Sequence, residues 1–162
     1  LRRNLVWLGF VVIVLTAAAD QISKFFAAEF LTEGQPWAVI NFFNLVKVWN
    51  TGVSFSMFNN YGKAGAIVLS VFALGVVAFL GYWMLKETNK LKITALACII
   101  GGALGNVADR VRFGAVLDFL DFHYKNMHWP AFNLADSFIC IGVFILICLE
   151  FMDSKKKGLE EV

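Results

Sequence analysis

The sequence predicts an all-α membrane protein with four transmembrane helices, a small extracytoplasmic β-strand cradle and an amphipathic surface segment. Its 162 residues are 59% hydrophobic and 16% charged, with a mean hydropathy of +0.70, whereas soluble domains are nearer half apolar and a quarter charged. The apolar residues also cluster into four long segments. The length predicts a single domain, 1–162, and a net charge of +2 is too small to indicate a nucleic-acid partner.

Four apolar segments predict the four helices. They cover residues 5–19 with an extension to 28, then 64–85, 93–108 and 132–152. A transmembrane helix needs about 20 residues, with roughly 17 as the lower limit. The first and third segments therefore cross only if they carry their polar ends, 20–24 and 106–110, to one interface.

The first segment has a second interpretation. Arg2 and Arg3, an apolar run and three alanines at 17–19 also fit a cleavable secretory signal peptide with a small-residue cleavage site. The composition of this segment alone does not separate an integral helix from a removed leader.

Basic residues predict the orientation. They cluster before the first segment, between the second and third, and after the fourth, at Arg2, Arg3, Lys86, Lys90, Lys92, Lys155, Lys156 and Lys157. Four crossings place all three clusters on one side, which the positive-inside rule makes the cytoplasm. The longer connections, 29–63 and 109–131, then face outward.

The first outward connection predicts a small strand pair on the membrane surface. Residues 43–49 are β-prone and partly alternate, and residues 53–58 resume the alternation. Between them, Asn50, Thr51 and Gly52 form a predicted turn, with the glycine free to adopt a positive φ.

Polar groups at the ends of the apolar segments are candidates for function, because ionisable residues near hydrocarbon are costly. Asp20 and Lys24 are four apart and can form an ion pair on one helical face. Gly101 and Gly105 form a GxxxG pattern that allows close approach of another helix. Asn106 and Arg110 share one side of the same predicted helix, next to Asp109.

Asp118 and Asp136 are the candidate reacting groups. Asp118 lies in an apolar stretch that also contains Asp121, and Asp136 opens the fourth segment. In isolation Asp136 reads as a helix-capping acid three residues after Asn133. All the polar groups are nevertheless expected at one membrane depth. Two close carboxyl groups that share one proton form the arrangement of aspartic proteases.

Other chemistries have weaker support. His123 and His128 lack a metal-ligand signature and are expected on the surface, so no metal and no cofactor are predicted. The alternative function is a small proton-coupled membrane transporter, or a lipid-handling protein, that uses the same acids. A structural assembly factor is a third interpretation, in which both Asp118 and Asp136 tolerate Asn.

Five motifs occur in an order that resembles bacterial lipoprotein signal peptidase, also called signal peptidase II. They are DQxxK from Asp20, NTGxxF from Asn50, GGAxGNxxDR from Gly101, VxDF from Val116 and FNxAD from Phe132. Each motif alone is weak, but five in order with fitting spacing across nearly the whole chain are specific.

The resemblance implies a multi-pass aspartyl peptidase of the bacterial cytoplasmic (inner) membrane, with both termini cytoplasmic and the active site near the extracytoplasmic face. Such enzymes remove signal peptides from diacylglyceryl-modified prolipoproteins, cutting before the lipidated cysteine, and are inhibited by peptide antibiotics such as globomycin. The family's catalytic pair falls on Asp118 and Asp136. Positions that line or support the site fall on Asn50, Gly52, Asn106, Arg110, Asn133, Asp20 and Lys24.

The resemblance also refines three expectations. It implies an integral first helix, since the family retains the polar end with Asp20 and Lys24. It assigns residues 43–58 to the outer β-strand cradle and residues 116–129 to a flexible lid. Asp121 has no required counterpart, and we expect it to be an additional surface acid.

Overall fold

The computed structural model describes residues 2–52 and 62–160, with side chains for 5–52 and 64–154. The described chain forms four long helices and one small antiparallel sheet. In chain order the elements are α1 (Arg2–Phe30), β1 (Trp37–Ile40), β2 (Phe43–Asn50), α2 (Gly62–Lys86), α3 (Lys90–Phe113), β3 (Val116–Tyr124), β4 (Met127–His128) and α4 (Leu134–Glu160).

The helices confirm the predicted membrane architecture. Within the described residues, four helices are long and apolar enough to cross a membrane: Leu5–Phe30, Ala64–Lys86, Lys90–Phe113 and Leu134–Ser154. Each contains most or all of one predicted segment. Residues 5–19 are the first part of α1, which packs along α3 as an integral helix of the bundle.

Helix α3 is the centre of the bundle. In its apolar stretch 67% of the residues are buried, against 17–22% in the other three helices, and it contacts α1, α2 and α4. The core cluster contains Ile93, Leu96 and Ile100 from α3, with Leu5 and Leu80 from its neighbours. The outer faces carry exposed apolar side chains, as expected for helices that face hydrocarbon.

Small residues let the helices approach closely, as the GxxxG pattern predicts. A Cβ atom on Gly101 would overlap Thr16 of α1, and one on Gly105 would overlap the Asp20 carboxylate. On the side facing α4, a Cβ on Gly102 would lie 2.5 Å from the backbone oxygen of Ala135. The glycines therefore serve contacts within the bundle.

Four strands in the order β1-β2-β3-β4 form an antiparallel sheet at one end of the bundle. This sheet confirms the predicted β-strand cradle, but its composition differs from the expected strand pair. The partners of β2 are β1 and β3. Residues 53–58, expected to be the second strand, lie outside the described residues.

The first part of the stretch 116–129, expected to be a flexible lid, is a largely buried strand. Residues 116–124 form β3, which is bonded along β2 on one edge and to β4 on the other. The first four residues of β3 are all buried, because Leu117 and Phe119 pack against Ala27 and Leu31 at the end of α1. Backbone pairing and burial together hold this segment in the sheet.

A tight turn after α3 brings β3 back over the end of the bundle. Gly114 ends the helix in the left-handed conformation, with a φ of 72°, and its N–H donates to the carbonyl of Arg110. Leu117 then donates its N–H to Asp109, at 3.2 Å. The turn thereby places Asp118 beside the polar end of α3.

Candidate active site

Asp118 lies in the middle of the sheet with only 3% of its surface exposed. Both of its oxygens accept hydrogen bonds from asparagine side chains. Nδ2 of Asn133 donates to Oδ1 at 2.7 Å, and Nδ2 of Asn50 on the neighbouring strand donates to Oδ2 at 3.1 Å. Asn50 is itself oriented, because its Oδ1 accepts the N–H of Gly52 at 3.1 Å.

The turn at Asn50 is closed by a side chain. Oδ1 of Asn50 accepts the N–H of Gly52, which is buried.

Asp136 is both a helix cap and a member of the polar cluster. The backbone N–H of Asp136 donates to Oδ1 of Asn133 at 3.0 Å, and Oδ2 of Asp136 accepts the N–H of Asn133 at 3.2 Å. This reciprocal pair is a capping box at the start of α4. The other oxygen, Oδ1, accepts Nδ2 of Asn106 at 2.8 Å. The cap therefore fixes a carboxylate that also faces a second helix.

Asn133 connects the two carboxylates. It is fully buried, and its side-chain amide contacts Asp118 while its backbone and Oδ1 bind Asp136. Its Nδ2 also lies 3.2 Å from Oδ1 of Asn106. Asp118 from β3 and Asp136 from α4, which are separated in sequence, are thus held against one residue.

A buried lysine on α1 supports this arrangement. Nζ of Lys24 lies 2.9 Å from Oδ2 of Asp20 and 2.9 Å from Oδ2 of Asp109, and it donates to Oδ1 of Asn106 at 2.9 Å. An ammonium group has three protons to donate, so these three acceptors satisfy it. Because Oδ1 of Asn106 accepts from Lys24, its Nδ2 is the group turned toward Asp136.

Asp20 joins three helices. Its Oδ2 pairs with Lys24 within α1, and its Oδ1 accepts the N–H of Ala135 in the first turn of α4, at 2.9 Å. Gly105 of α3 lies directly against the same carboxylate. The prediction of an Asp20–Lys24 ion pair is confirmed, and the pair lies inside the bundle with Lys24 4% exposed.

Sequence reasoning gave no role to Gln21 and no partner to Asp109, and both belong to this network. Gln21 follows Asp20, and its Nε2 donates to Oδ1 of Asp109 at 2.9 Å and to the carbonyl of Gly105 at 3.2 Å. Asp109, expected in the polar cluster, is 2% exposed and binds Lys24. The adjacent polar pairs at 20–21 and 109–110 are the signal that identifies both.

Asp118 and Asp136 line a common open groove of about 820 Å³. Its wall includes the backbone segment that leads into α4. The lining residues are Asn50, Gly52, Arg110, Asp118, Trp129, Pro130, Ala131, Phe132, Asp136, Ser137 and Cys140. Arg110 lies close enough to interact electrostatically with both carboxylates. Of the nine predicted site residues, Asn106, Asn133, Asp20 and Lys24 lie behind this wall.

The environment of Asp118 raises its pKa to about 6 from an ordinary value of 3.8. Burial is the largest cause, since it disfavours the charged form, and the negative charge of Asp136 acts in the same direction. Hydrogen bonds from Asn50 and Asn133, and the charge of Lys24, partly oppose the shift. Asp118 therefore holds a proton far more readily than an ordinary aspartate.

Asp121 is not the surface acid that we expected. It is 5% exposed, with its Oδ2 accepting Nδ2 of Asn44 at 2.9 Å and its Oδ1 lying 2.9 Å from Nδ1 of His128. Burial acts to raise the pKa of Asp121, but hydrogen bonds from His128 and Asn44 outweigh it and lower the pKa below its ordinary value. This acid clamps β2, β3 and β4 together on the opposite side of the strand from Asp118.

The described residues contain no group of three or more His, Cys, Asp or Glu side chains that could hold a metal ion. His128 instead pairs with Asp121, and the ring of His123 stacks on it at 4.9 Å.

The four apolar helices fit a multi-pass membrane protein. Its groove is lined by two carboxylates, of which Asp118 is buried and Asp136 is half-buried. The family model described as Signal peptidase (SPase) II, Peptidase_A8, matches residues 12–152. The chain belongs to the signal peptidase II family, as the motif resemblance predicted.

Similar proteins support this membership over most of the chain. A lipoprotein signal peptidase of Anaplasma phagocytophilum is 38% identical over 150 residues, which cover 93% of this chain and 94% of that protein. One of Paraburkholderia phymatum is 48% identical over 145 residues, covering 87% and 84%. A solved bacterial membrane enzyme superposes with a TM-score of 0.81 at 28% identity, covering 92% of this chain and 90% of that chain.

Proposed function

We propose that this protein is an aspartic endopeptidase that removes the signal peptides of prolipoproteins, with Asp118 and Asp136 as its catalytic pair. The observation that carries the proposal is the joint contact with Asn133, which binds both carboxylates at the edge of one groove. Family membership supplies the substrate class, because the relatives are lipoprotein signal peptidases.

The two acids have unequal environments, which is what a pair of opposite roles requires. Asp118 is the proton-holding member, because burial and the charge of Asp136 raise its pKa to about 6. Asp136 is the ionised member, because it receives an amide donor from Asn106 and lies in the first turn of α4, where the helix dipole favours negative charge.

The reaction follows from these roles. A water molecule gives a proton to Asp136, and its oxygen bonds to the scissile carbonyl carbon while Asp118 donates its proton to the carbonyl oxygen. The resulting tetrahedral intermediate then collapses. Asp136 passes its proton to the leaving amine as the carbon–nitrogen bond breaks, and a hydroxyl proton of the intermediate returns to Asp118. Both acids regain their starting states, and no metal takes part in these steps.

The remaining predicted site residues have supporting roles in this proposal. Asn50 and Asn133 hold Asp118, Asn106 turns its donor toward Asp136, and Lys24 with Asp20 fixes Asn106. Arg110 lies at the groove beside both acids, where its charge can stabilise negative charge that develops during the reaction.

The apolar surroundings fit a membrane-anchored substrate. The groove wall includes the exposed Trp129 and the aromatic ring of Phe132, and the flanking helices present apolar faces to the bilayer. We propose that a diacylglyceryl-modified cysteine keeps its acyl chains in the lipid while the peptide bond before it enters the groove. A cyclic peptide antibiotic such as globomycin would compete for the same groove.

The proposed location is the bacterial cytoplasmic membrane, with both chain ends in the cytoplasm. The sheet and groove lie at the bundle end opposite the α2–α3 connection, which is flanked by Lys86, Lys90 and Lys92 at the ends of the two helices. The positive-inside rule assigns that basic end to the cytoplasm, so the groove opens near the extracytoplasmic face.

The decisive experiment compares purified Asp118→Asn and Asp136→Asn with Glu29→Gln, a control that removes an exposed carboxylate on α1. Cleavage of a diacylglyceryl-modified prolipoprotein is measured, and thermal unfolding verifies that each variant is folded. We expect each Asp variant to lose about 10²–10⁴-fold in kcat, and the control to match the wild type. Substantial activity in either folded Asp variant contradicts the catalytic pair.

The transporter alternative is not favoured by the charge distribution. A proton relay needs ionisable groups through the membrane depth. In the described part of the chain, α2 has no charged residue between Ala64 and Leu85, and α4 has none between Asp136 and Glu150. The buried charges instead gather at the sheet end of the bundle.

A further inference from the structure

Strand β2 contains a β-bulge close to the candidate active site. Asn44 pairs with Asp121 and Leu45 with Leu120, but the next pair is Val48 with Asp118. Two residues of β2, Val46 and Lys47, therefore occupy the space that β3 fills with Phe119 alone. An extra residue of this kind bends the strand and changes the face on which the following side chains lie.

The bulge decides which way Asn50 points. Asp118 and Asp121 are three apart on β3 and project to opposite faces. Their asparagine partners on β2, Asn50 and Asn44, are six apart, so a regular strand would place both on one face. Because one extra residue lies between them, Asn44 reaches Asp121 on one side and Asn50 reaches Asp118 on the other. Without it, Asn50 would face away from Asp118.

Lys47 fixes the bulge to the helical bundle. Its Nζ donates to the carbonyl oxygen of Ala28, which lies in the last turn of α1, where carbonyls lack helical partners. This contact joins the bulge to the same helix that carries Asp20 and Lys24. The contact therefore fixes the position of β2 relative to the polar residues of α1.

We propose that the bulge at Val46 and Lys47, fixed to α1 by the Lys47 ammonium, aims Asn50 at Asp118. Lys47 is then a positioning residue for the reaction, although it lies outside the groove. The inference rests on the proposed function, since it concerns the proton of Asp118. A hydrogen bond from Asn50 stabilises the charged carboxylate, so misplacement of Asn50 raises the pKa of Asp118 further.

The test follows the Asp118 carboxyl directly. The protein is labelled with ¹³C at its aspartate carboxyl groups and studied by NMR in detergent micelles. The Asp118 resonance is the one that is lost in Asp118→Asn, and its chemical shift is followed as a function of pH. Lys47→Met keeps the apolar stem but removes the donor, Asn50→Ala removes the aimed group, and Lys90→Met is a matched control, because Lys90 is exposed at the other end of the bundle. The charged groups that surround Asp118 include Asp136, Lys24, Arg110 and Asp109, which these variants all retain.

We expect Asn50→Ala and Lys47→Met each to move the Asp118 titration upward by about one pH unit. Lys47→Arg should restore the wild-type value, and the double variant should shift no more than either single one, because both act through the same bond. Lys90→Met should not change the titration. The same upward shift should appear in the pH dependence of kcat/KM, in the alkaline limb where Asp118 loses its proton.

Two results overturn the inference. One is a wild-type Asp118 titration in Lys47→Met when Asn50→Ala is shifted, and the other is no shift in Asn50→Ala itself. If Lys47→Met does not fold, Lys47→Gln, whose shorter side chain does not reach Ala28, gives the same comparison. Failure of the proposed function is separate, since it would appear as cleavage by Asp118→Asn regardless of these titrations.

Discussion

Replacing Asp118 by Asn should stabilise the fold at neutral pH while it abolishes cleavage. The pKa of Asp118 is about 6 in the folded protein and 3.8 in its ordinary state, so the folded protein holds this proton more tightly than the unfolded chain. The free energy of unfolding therefore falls as pH rises from about 4 to about 6. A difference of about two pKa units corresponds to about 3 kcal/mol.

Part of this gain is offset by a lost hydrogen bond. Asp118 accepts from both Asn50 and Asn133, whereas an Asn at this position accepts with one oxygen only and presents an NH₂ group to the other donor. One lost bond costs about 1 kcal/mol. The net gain at pH 7 is about 2 kcal/mol, or an increase in Tm of about 4–8 °C for a chain of this size.

The assay is thermal and denaturant unfolding of both proteins in detergent at pH 4 and pH 7. Wild-type stability should fall by about 2 kcal/mol more between these pH values than the stability of the variant. Equal pH dependence in the two proteins, or a variant less stable than wild type at pH 7, would refute the reasoning that burial makes the Asp118 charge costly.

Three further substitutions and one control test the other buried contacts, each by unfolding in detergent. Lys24→Met leaves the carboxylates of Asp20 and Asp109 unpaired and should cost about 3–5 kcal/mol; a smaller loss than 1 kcal/mol would argue against a charged cluster. Gly105→Ala forces a methyl group against Asp20 and should cost about 1–3 kcal/mol, whereas Gly75→Ala, in open space on α2, should be neutral or slightly stabilising. Asp121→Asn should weaken the fold above pH 4 and reduce its loss of stability on acidification, because the pKa of Asp121 is lowered by folding.

The helical part of the fold could be predicted from sequence because the bilayer sets one length for every segment. The four apolar runs identified the helices, and the GxxxG pattern at Gly101 and Gly105 identified a close contact, although not its partner, α1. The N-cap at Asn133 and the acid three residues later were also readable, since a capping box is a local pattern.

The sheet could not be predicted in the same way because its pairing is not local. Strand β2 bonds to β3 about seventy residues later, and the register includes a bulge that no alternation pattern reveals. The two acids Asp118 and Asp121 interrupt an apolar run at 116–122, and this pattern favours a segment that lies on the surface. In the folded protein each of these acids has an asparagine partner on β2, which makes their burial tolerable.

Asn133 explains why helix capping and the proposed catalysis do not compete for Asp136. Each carboxylate of the pair accepts two donors: Asp136 from Asn133 and Asn106, and Asp118 from Asn133 and Asn50. A carboxylate has about four acceptor positions, so each retains capacity for water or a shared proton. The donors fix orientation without saturating the oxygens. What then distinguishes the two acids is burial, since Asp118 is almost fully enclosed while Asp136 is half-buried at a helix N-terminus, and this inequality is what a protonated acid and an ionised base require.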